Sequence, residues 1–154
     1  MVKRSAGILP FRRIGGKLEV LLVHPGGPFW AHKDIGVWSI AKGEYDETER
    51  PLDAAMREFC EETGCPVAGP FLELTPCIQP SGKLVSAWAT EMDWDPAAQV
   101  SNTFSLEWPK SSGRVQEFPE VDRALWFPVA EALRRILPGQ RGFVAELVQR
   151  LGGE

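Results

Sequence analysis

Three glutamates, Glu58, Glu61 and Glu62, stand at spacings of i, i+3 and i+4 in the run Arg57-Glu-Phe-Cys-Glu-Glu-Thr-Gly64. On an α-helix those spacings place the three carboxylates on one stripe of neighbouring positions. Like charges held that close repel, raise one another's pKa and cost stability unless a counter-charge is present. A hard divalent cation supplies one. Mg²⁺ prefers oxygen ligands, keeps several waters, and joins one or two carboxylates to the phosphate oxygens of a substrate. The same run also fits a solvated acidic helix face, and the spacing by itself leaves both readings open.

The elements that would hold these acids are marked by punctuation. Pro51 suits the first turn of a helix, where its missing N–H costs little, and Gly64 suits the left-handed position just past the end. A helix of about three turns is predicted between them. At about 100° per residue, Leu52, Ala55, Met56, Phe59 and Thr63 fall on one side for packing, and Glu58, Glu61 and Glu62 on the adjoining stripe.

The wider pattern is more specific. Gly43, Glu49, Arg57-Glu58, Phe59, Glu61-Glu62, Gly64 and Cys65 occupy every position of the sequence G-x5-E-x7-R-E-U-x-E-E-x-G-U, where U is bulky and apolar. On these residues the chain resembles the Nudix hydrolases. Cys65 departs mildly, since Ile, Leu or Val is more usual there. The resemblance spans roughly residues 3 to 150 and implies a loop-helix-loop whose glutamates hold Mg²⁺ or Mn²⁺ while water attacks a phosphorus of a diphosphate linked to another group, X. Carried over residue by residue, it makes Glu58, Glu61 and Glu62 the metal cluster, with the Gly43 backbone carbonyl as a further ligand. Glu49 and Arg57 become a structural ion pair. The family also often draws a general base or extra ligand from a glutamate just before a final strand carrying Trp. Here the candidates are Glu117 and Glu120, with Glu120 preferred because it lies closer to Arg123–Phe127, and Glu58 as the other candidate base.

The rest of the chain sets limits. At 154 residues and a formal charge of −4, it fits one domain, residues 1–154, large enough to bury a core without disulfides. The charges are dispersed, so neither a nucleic acid polymer nor a membrane is an expected partner; a small nucleotide or other diphosphate is. Cys60, Cys65 and Cys77 are odd in number and lack C-x-x-C spacing, and the start has no apolar signal region, which together point to the cytoplasm. Monomer and homodimer are both compatible with the sequence.

Taken in order, Ser5–Arg13 and Leu18–His24 read as strands joined at Gly15-Gly16, the second apolar enough to be central in a sheet. Pro25-Gly26-Gly27-Pro28 is a loop without the run of free N–H groups that a phosphate cradle needs. His24 and His32 lack metal-ligand spacing and read as structural or surface residues. Lys42, beside the acidic loop, is a candidate contact for a substrate phosphate, with an ordinary surface lysine as the alternative. Ala41 stands where many relatives have Pro, loosening that turn. Phe71–Gln79 and Lys83–Glu91 read as two strands about a turn at Pro80-Ser81-Gly82, and Trp88 and Trp94 as core or rim aromatics with base stacking as the alternative. Pro109–Pro119 reads as a polar, flexible loop. Val129–Leu137 and Gly142–Leu151 carry apolar residues at helical spacing about Pro138-Gly139.

The expected architecture is one α/β domain with a mixed β-sheet sandwiched between α-helices, the Nudix fold by resemblance. The expected activity is metal-dependent hydrolysis of a phosphoanhydride in a nucleoside diphosphate linked to X. Trp38 followed by Lys42-Gly43 is loosely similar to hydrolases of diadenosine polyphosphates. The alternatives are a nucleotide-sensing module without turnover, which the complete set of box glutamates argues against, and a purely structural domain with an acidic helix.

Overall fold

The structure is a computed structural model in which residues 3–153 are described. Strands β1 (Arg4–Ile14) and β2 (Lys17–Pro25) form a hairpin in which Ile14 pairs with Lys17 across Gly15-Gly16. The two ladders separate beyond Phe11, and β3 (Ala41–Glu44) takes the vacated edge of β1 over Ser5–Ile8. A crevice therefore opens between β2 and β3. On its other edge β1 runs parallel to β6 (Leu84–Glu91), and β2 pairs antiparallel with β9 (Val121–Pro128). The resulting mixed sheet has the order β4-β6-β1-β2-β9, where β4 is Leu72–Glu73; β3 and β5 (Cys77–Ile78) add on as side branches.

Alternation along the strands divides the core between two faces. Ala6, Ile8, Leu21 and Val23 pack with Ala54, Ala55 and Phe59 of helix α1 (Pro51–Thr63). Leu9, Leu18, Val20 and Leu22 pack with Val129 and Ala132 of α2 (Val129–Arg135) and with Phe143, Val144 and Leu147 of α3 (Arg141–Arg150). No helix among the described residues is long and apolar enough to cross a membrane.

Helix α1 begins with Pro51 at its first turn and ends at Gly64, whose φ of 77° lies in the left-handed region that closes helices cheaply for glycine alone. Two expectations give way to the fold. Phe71–Gln79 is not one strand: Leu74 is buried, Thr75 N–H turns aside to Glu146 Oε1 at 2.8 Å, and Pro76 has no N–H to donate, so β4 and β5 stay separate. Pro109–Pro119 is not a loop throughout. Val115–Pro119 forms β8, paired in register with β7 (Thr103–Glu107), and Phe104 meets Phe118 across the ribbon with ring centroids 6.0 Å apart. Cross-strand pairing, which a single segment's composition does not reveal, decides that hairpin.

Candidate active site

The site forms where the N-terminal half of β1 hands its edge to β3. Lys42 and Gly43 lie on β3, opposite Gly7 and Ala6, and the chain then passes through a loop into α1. That loop is tied to the helix by Arg57, whose Nε and Nη2 donate to the two carboxylate oxygens of Glu49 at 2.8 and 2.9 Å. A bidentate fork of this kind fixes orientation as well as distance. It holds Glu49 below its ordinary pKa, and Arg57 above.

The acids of α1 differ in exposure more than a helical wheel suggests. Glu61 is half-exposed, Glu58 lies against the main chain of Gly43, and Glu62 sits on the packed face with 6% of its surface accessible. Arg57 Nη1 donates to Glu58 at 2.9 Å and to Glu61 at 2.9 Å. Glu62 has no such cation. Burial first, and then the charges of Glu58 and Glu120, push its pKa up to about 9, against a weaker pull from Lys42. Glu120 is raised too, by burial and by Glu58 and Glu61. Lys42 is lowered, chiefly by burial and by the neighbouring Lys83, with Glu62 and Glu44 opposing.

Sequence position alone leaves Glu117 and Glu120 close rivals. The fold separates them: Glu117 is on β8, opposite Ser105 and exposed, whereas Glu120 lines a cavity with Glu62 and Lys42. The cavity, about 280 Å³, occupies the crevice between β2 and β3, with Val23, Val37, Ile40 and Leu137 among its apolar walls and Trp30 at its rim. His24 is fully buried; its Nδ1 pairs with Asp122 at 2.7 Å and its Nε2 with the Lys33 carbonyl at 2.7 Å. His32 is exposed, and Trp88 and Trp94 pack partly buried against the α1 side of the core.

The segment before β7 is a part of the site that sequence reasoning missed. The last carbonyls of a helix have no partner within it. In α1 those of Glu61, Glu62 and Thr63 accept from Asn102 N–H at 2.9 Å, Gln99 Nε2 at 3.1 Å and Val100 N–H at 2.9 Å. Gln99 Nε2 also reaches the Val121 carbonyl at 3.1 Å, and Glu120 N–H donates to the Asn102 carbonyl at 2.9 Å. The junction of β8 and β9, which carries Glu120, is thus keyed to the helix carrying Glu62. Nothing in the local pattern of Gln99-Val-Ser-Asn signals this, since the partners lie 37 and 22 residues away.

A family model described as NUDIX domain matches residues 1–147. An RNA pyrophosphohydrolase of Bartonella henselae is 39% identical over 66 residues, covering 40% of this chain and 35% of that protein. The chain thus spans little more than a third of the length of the curated relatives it matches. Among solved structures, a binary complex of C. elegans Ap4A hydrolase superposes with a TM-score of 0.67 at 20% identity, covering 97% of this chain and 99% of that one. The NUDIX domain of Shewanella oneidensis NrtR complexed with ADP ribose gives 0.66 at 19%, covering 98% and 89%. At such identities the structural likeness establishes a shared fold.

Proposed function

This chain belongs to the NUDIX domain family, and from that premise we propose that it hydrolyses a phosphoanhydride bond in a nucleoside diphosphate linked to a further group, with Mg²⁺ or Mn²⁺ as its cation. The observation that carries the reading is that Glu62 and Glu120 line one cavity with Lys42, while Glu58 and Glu61 lie near enough for their charges to act on these acids.

The donors fit a hard divalent ion: they are carboxylate oxygens and a backbone carbonyl, with Glu62 buried and subject to the charges of Glu58 and Glu120. Among the described residues no three acidic, histidine or cysteine side chains already form a cation shell. Arg57 Nη1 instead holds Glu58 and Glu61, each at 2.9 Å. Glu58, Glu61, Glu62 and the Gly43 carbonyl would hold the metal, and Arg57 would keep its pair of bonds to Glu49.

A bound cation supplies charge neutralisation at the phosphate oxygens and a more acidic water. The protein's own groups do the rest. Lys42, on the cavity wall, places an ammonium against a phosphate oxygen. Glu120, whose pKa is raised by burial and by the charges of Glu58 and Glu61, accepts the proton of the attacking water, with Glu58 as the alternative base. Positioning and charge compensation supply most of the rate for so highly charged a reacting centre. The segment that seats Glu120 should therefore matter. Gln99→Leu removes both amide bonds and is expected to lower kcat about tenfold with KM nearly unchanged, as misplacement of a catalytic group does. Steady-state kinetics at saturating Mg²⁺ check this; an unaltered kcat would remove Gln99 from the account.

The deciding experiment is a Mg²⁺-dependent hydrolysis screen over dinucleoside polyphosphates, nucleoside triphosphates, nucleotide sugars, diphosphoinositol polyphosphates and 5′-triphosphorylated RNA, with Glu62→Gln as control. The RNA arm answers to the Bartonella relative. Cleavage of a nucleotide class that disappears in the control is the expected result. Tight nucleotide binding with no turnover of any class would instead favour a sensing module.

A further inference from the structure

Between β2 and the Trp38 segment the chain makes a short excursion, Pro25 to Lys33, that neither core cluster uses. It is nevertheless pinned at both ends. Gly26 N–H donates to the Glu120 carbonyl at 2.9 Å, and the Lys33 carbonyl is held by buried His24 at 2.7 Å. Within it, Trp30 N–H reaches the Gly27 carbonyl at 3.3 Å and Lys33 N–H the Trp30 carbonyl at 2.9 Å. Such a loop presents its central side chain in a fixed place rather than letting it wander.

That side chain is Trp30. It remains 38% exposed, it is among the residues that line the cavity, and Lys33 Nζ stands 5.1 Å from the ring centroid, a cation–π distance that restrains the indole. The cavity lining is mixed: Val37, Ile40 and Leu137 are apolar, whereas Lys42, Glu62 and Glu120 are charged. Apolar and aromatic walls together with charged groups suit a ligand that joins a planar ring to a diphosphate. At about 280 Å³ the cavity sits at the lower edge of the ~300–1,000 Å³ usual for drug-sized ligands, room for one ring system and not for two nucleosides.

We propose that Trp30 is a specificity-determining residue that stacks on the nucleobase of the substrate, so that the cavity selects diphosphates carrying an aromatic ring and leaves any second nucleoside outside. Base–aromatic stacking tolerates any base because each has a π-face, so the selection is for a ring and not for one base. The orientation of the diphosphate rests on the hydrolase reading above; the stacking does not.

The test therefore reads binding and not turnover. Isothermal titration in Mg²⁺ compares ADP with methylenediphosphonate, which has the two phosphorus centres and no ring, on the wild-type chain, Trp30→Ala and Trp30→Phe. The Kd for ADP is expected to rise about tenfold or more in Trp30→Ala and to stay within about threefold in Trp30→Phe. Methylenediphosphonate should bind all three alike, and thermal melting should be unchanged because Trp30 lies outside both core clusters. Equal ADP affinity in wild type and Trp30→Ala, equal weakening of both probes, or no ADP binding by the wild type would each overturn the proposal. A chain that stacks ADP as expected yet cleaves nothing would instead count against the hydrolase reading alone.

Discussion

Glu62→Gln is expected to lower kcat by about 10³ while making the metal-free protein more stable at pH 8. The two effects share one cause. Glu62 is buried beside Glu58 and Glu120, and its pKa stands at about 9 against an ordinary 4.5. In the metal-free folded state it is therefore protonated at neutral pH, whereas in the unfolded chain it is ionised. Folding takes up a proton, so the stability tied to this group is fully present below pH 4.5 and is lost progressively as pH rises toward about 9. Gln is the isostere of the protonated acid and does not titrate, so it escapes that loss. Thermal melts in EDTA should show the wild-type Tm falling from pH 5.5 to 8.5 more steeply than that of Glu62→Gln. The variant should melt at least about 2 °C higher at the upper end, the shift that about 1 kcal/mol gives in a chain of this size. In saturating Mg²⁺ the order should reverse, because only the wild type gains from the ion. Parallel pH profiles for the two proteins, or an unaltered kcat, would refute the assignment.

A methyl group at Gly43 should be nearly as damaging to turnover, by a steric route. A Cβ built on Gly43 would lie 2.0 Å from the carboxyl carbon of Glu58 and 2.1 and 2.2 Å from its oxygens, far inside contact distance. The obstructing atoms are the end of a flexible side chain and not backbone, so Gly43→Ala can be accommodated by swinging Glu58 away. The folding cost should stay near the low end for overpacking, about 1 kcal/mol. The catalytic cost is the displacement of a carboxylate assigned to the metal, and kcat should fall about 10²-fold with a weaker apparent affinity for Mg²⁺. Mg²⁺ titration of activity together with a thermal melt distinguishes this from simple misfolding. Wild-type Mg²⁺ dependence in a well-folded Gly43→Ala would show that Glu58 does not need its place against the β3 main chain.

Much of this site is visible in the chain because its parts are close neighbours in sequence. Gly43 to Cys65 spans one strand end, one loop and one helix, and the determinants are local: Pro51 and Gly64 delimit the helix, spacing puts the acids on adjoining positions, and Arg57 finds Glu49 eight residues back. The first hairpin and the two closing helices are legible for the same reason, as periodicity between strong turn signals. The helical wheel placed Glu62 on the acid stripe with Glu58 and Glu61 but did not show that Glu62 is buried while the other two are only partly so. Burial depends on what covers a face, and that cover comes from other elements.

What only the tertiary structure decided are the relations that close over long stretches of chain. Glu120 and Glu117 are three residues apart and alike in chemistry; pairing of β7 with β8 turns Glu117 to solvent, while the hydrogen bonds of Glu120 to Gly26 and Asn102 bring it beside Glu62. Gln99 gains its position from two carbonyls distant in sequence, and Trp30 from a loop clamped by His24 and by the Glu120 carbonyl. By itself the sequence determined the family and the spacing of Glu58, Glu61 and Glu62, because these are written in short-range pattern. Which further carboxylate joins the cluster, and what walls the cavity beside it, depend on which strands pair, and pairing energy comes from contacts that no local window contains.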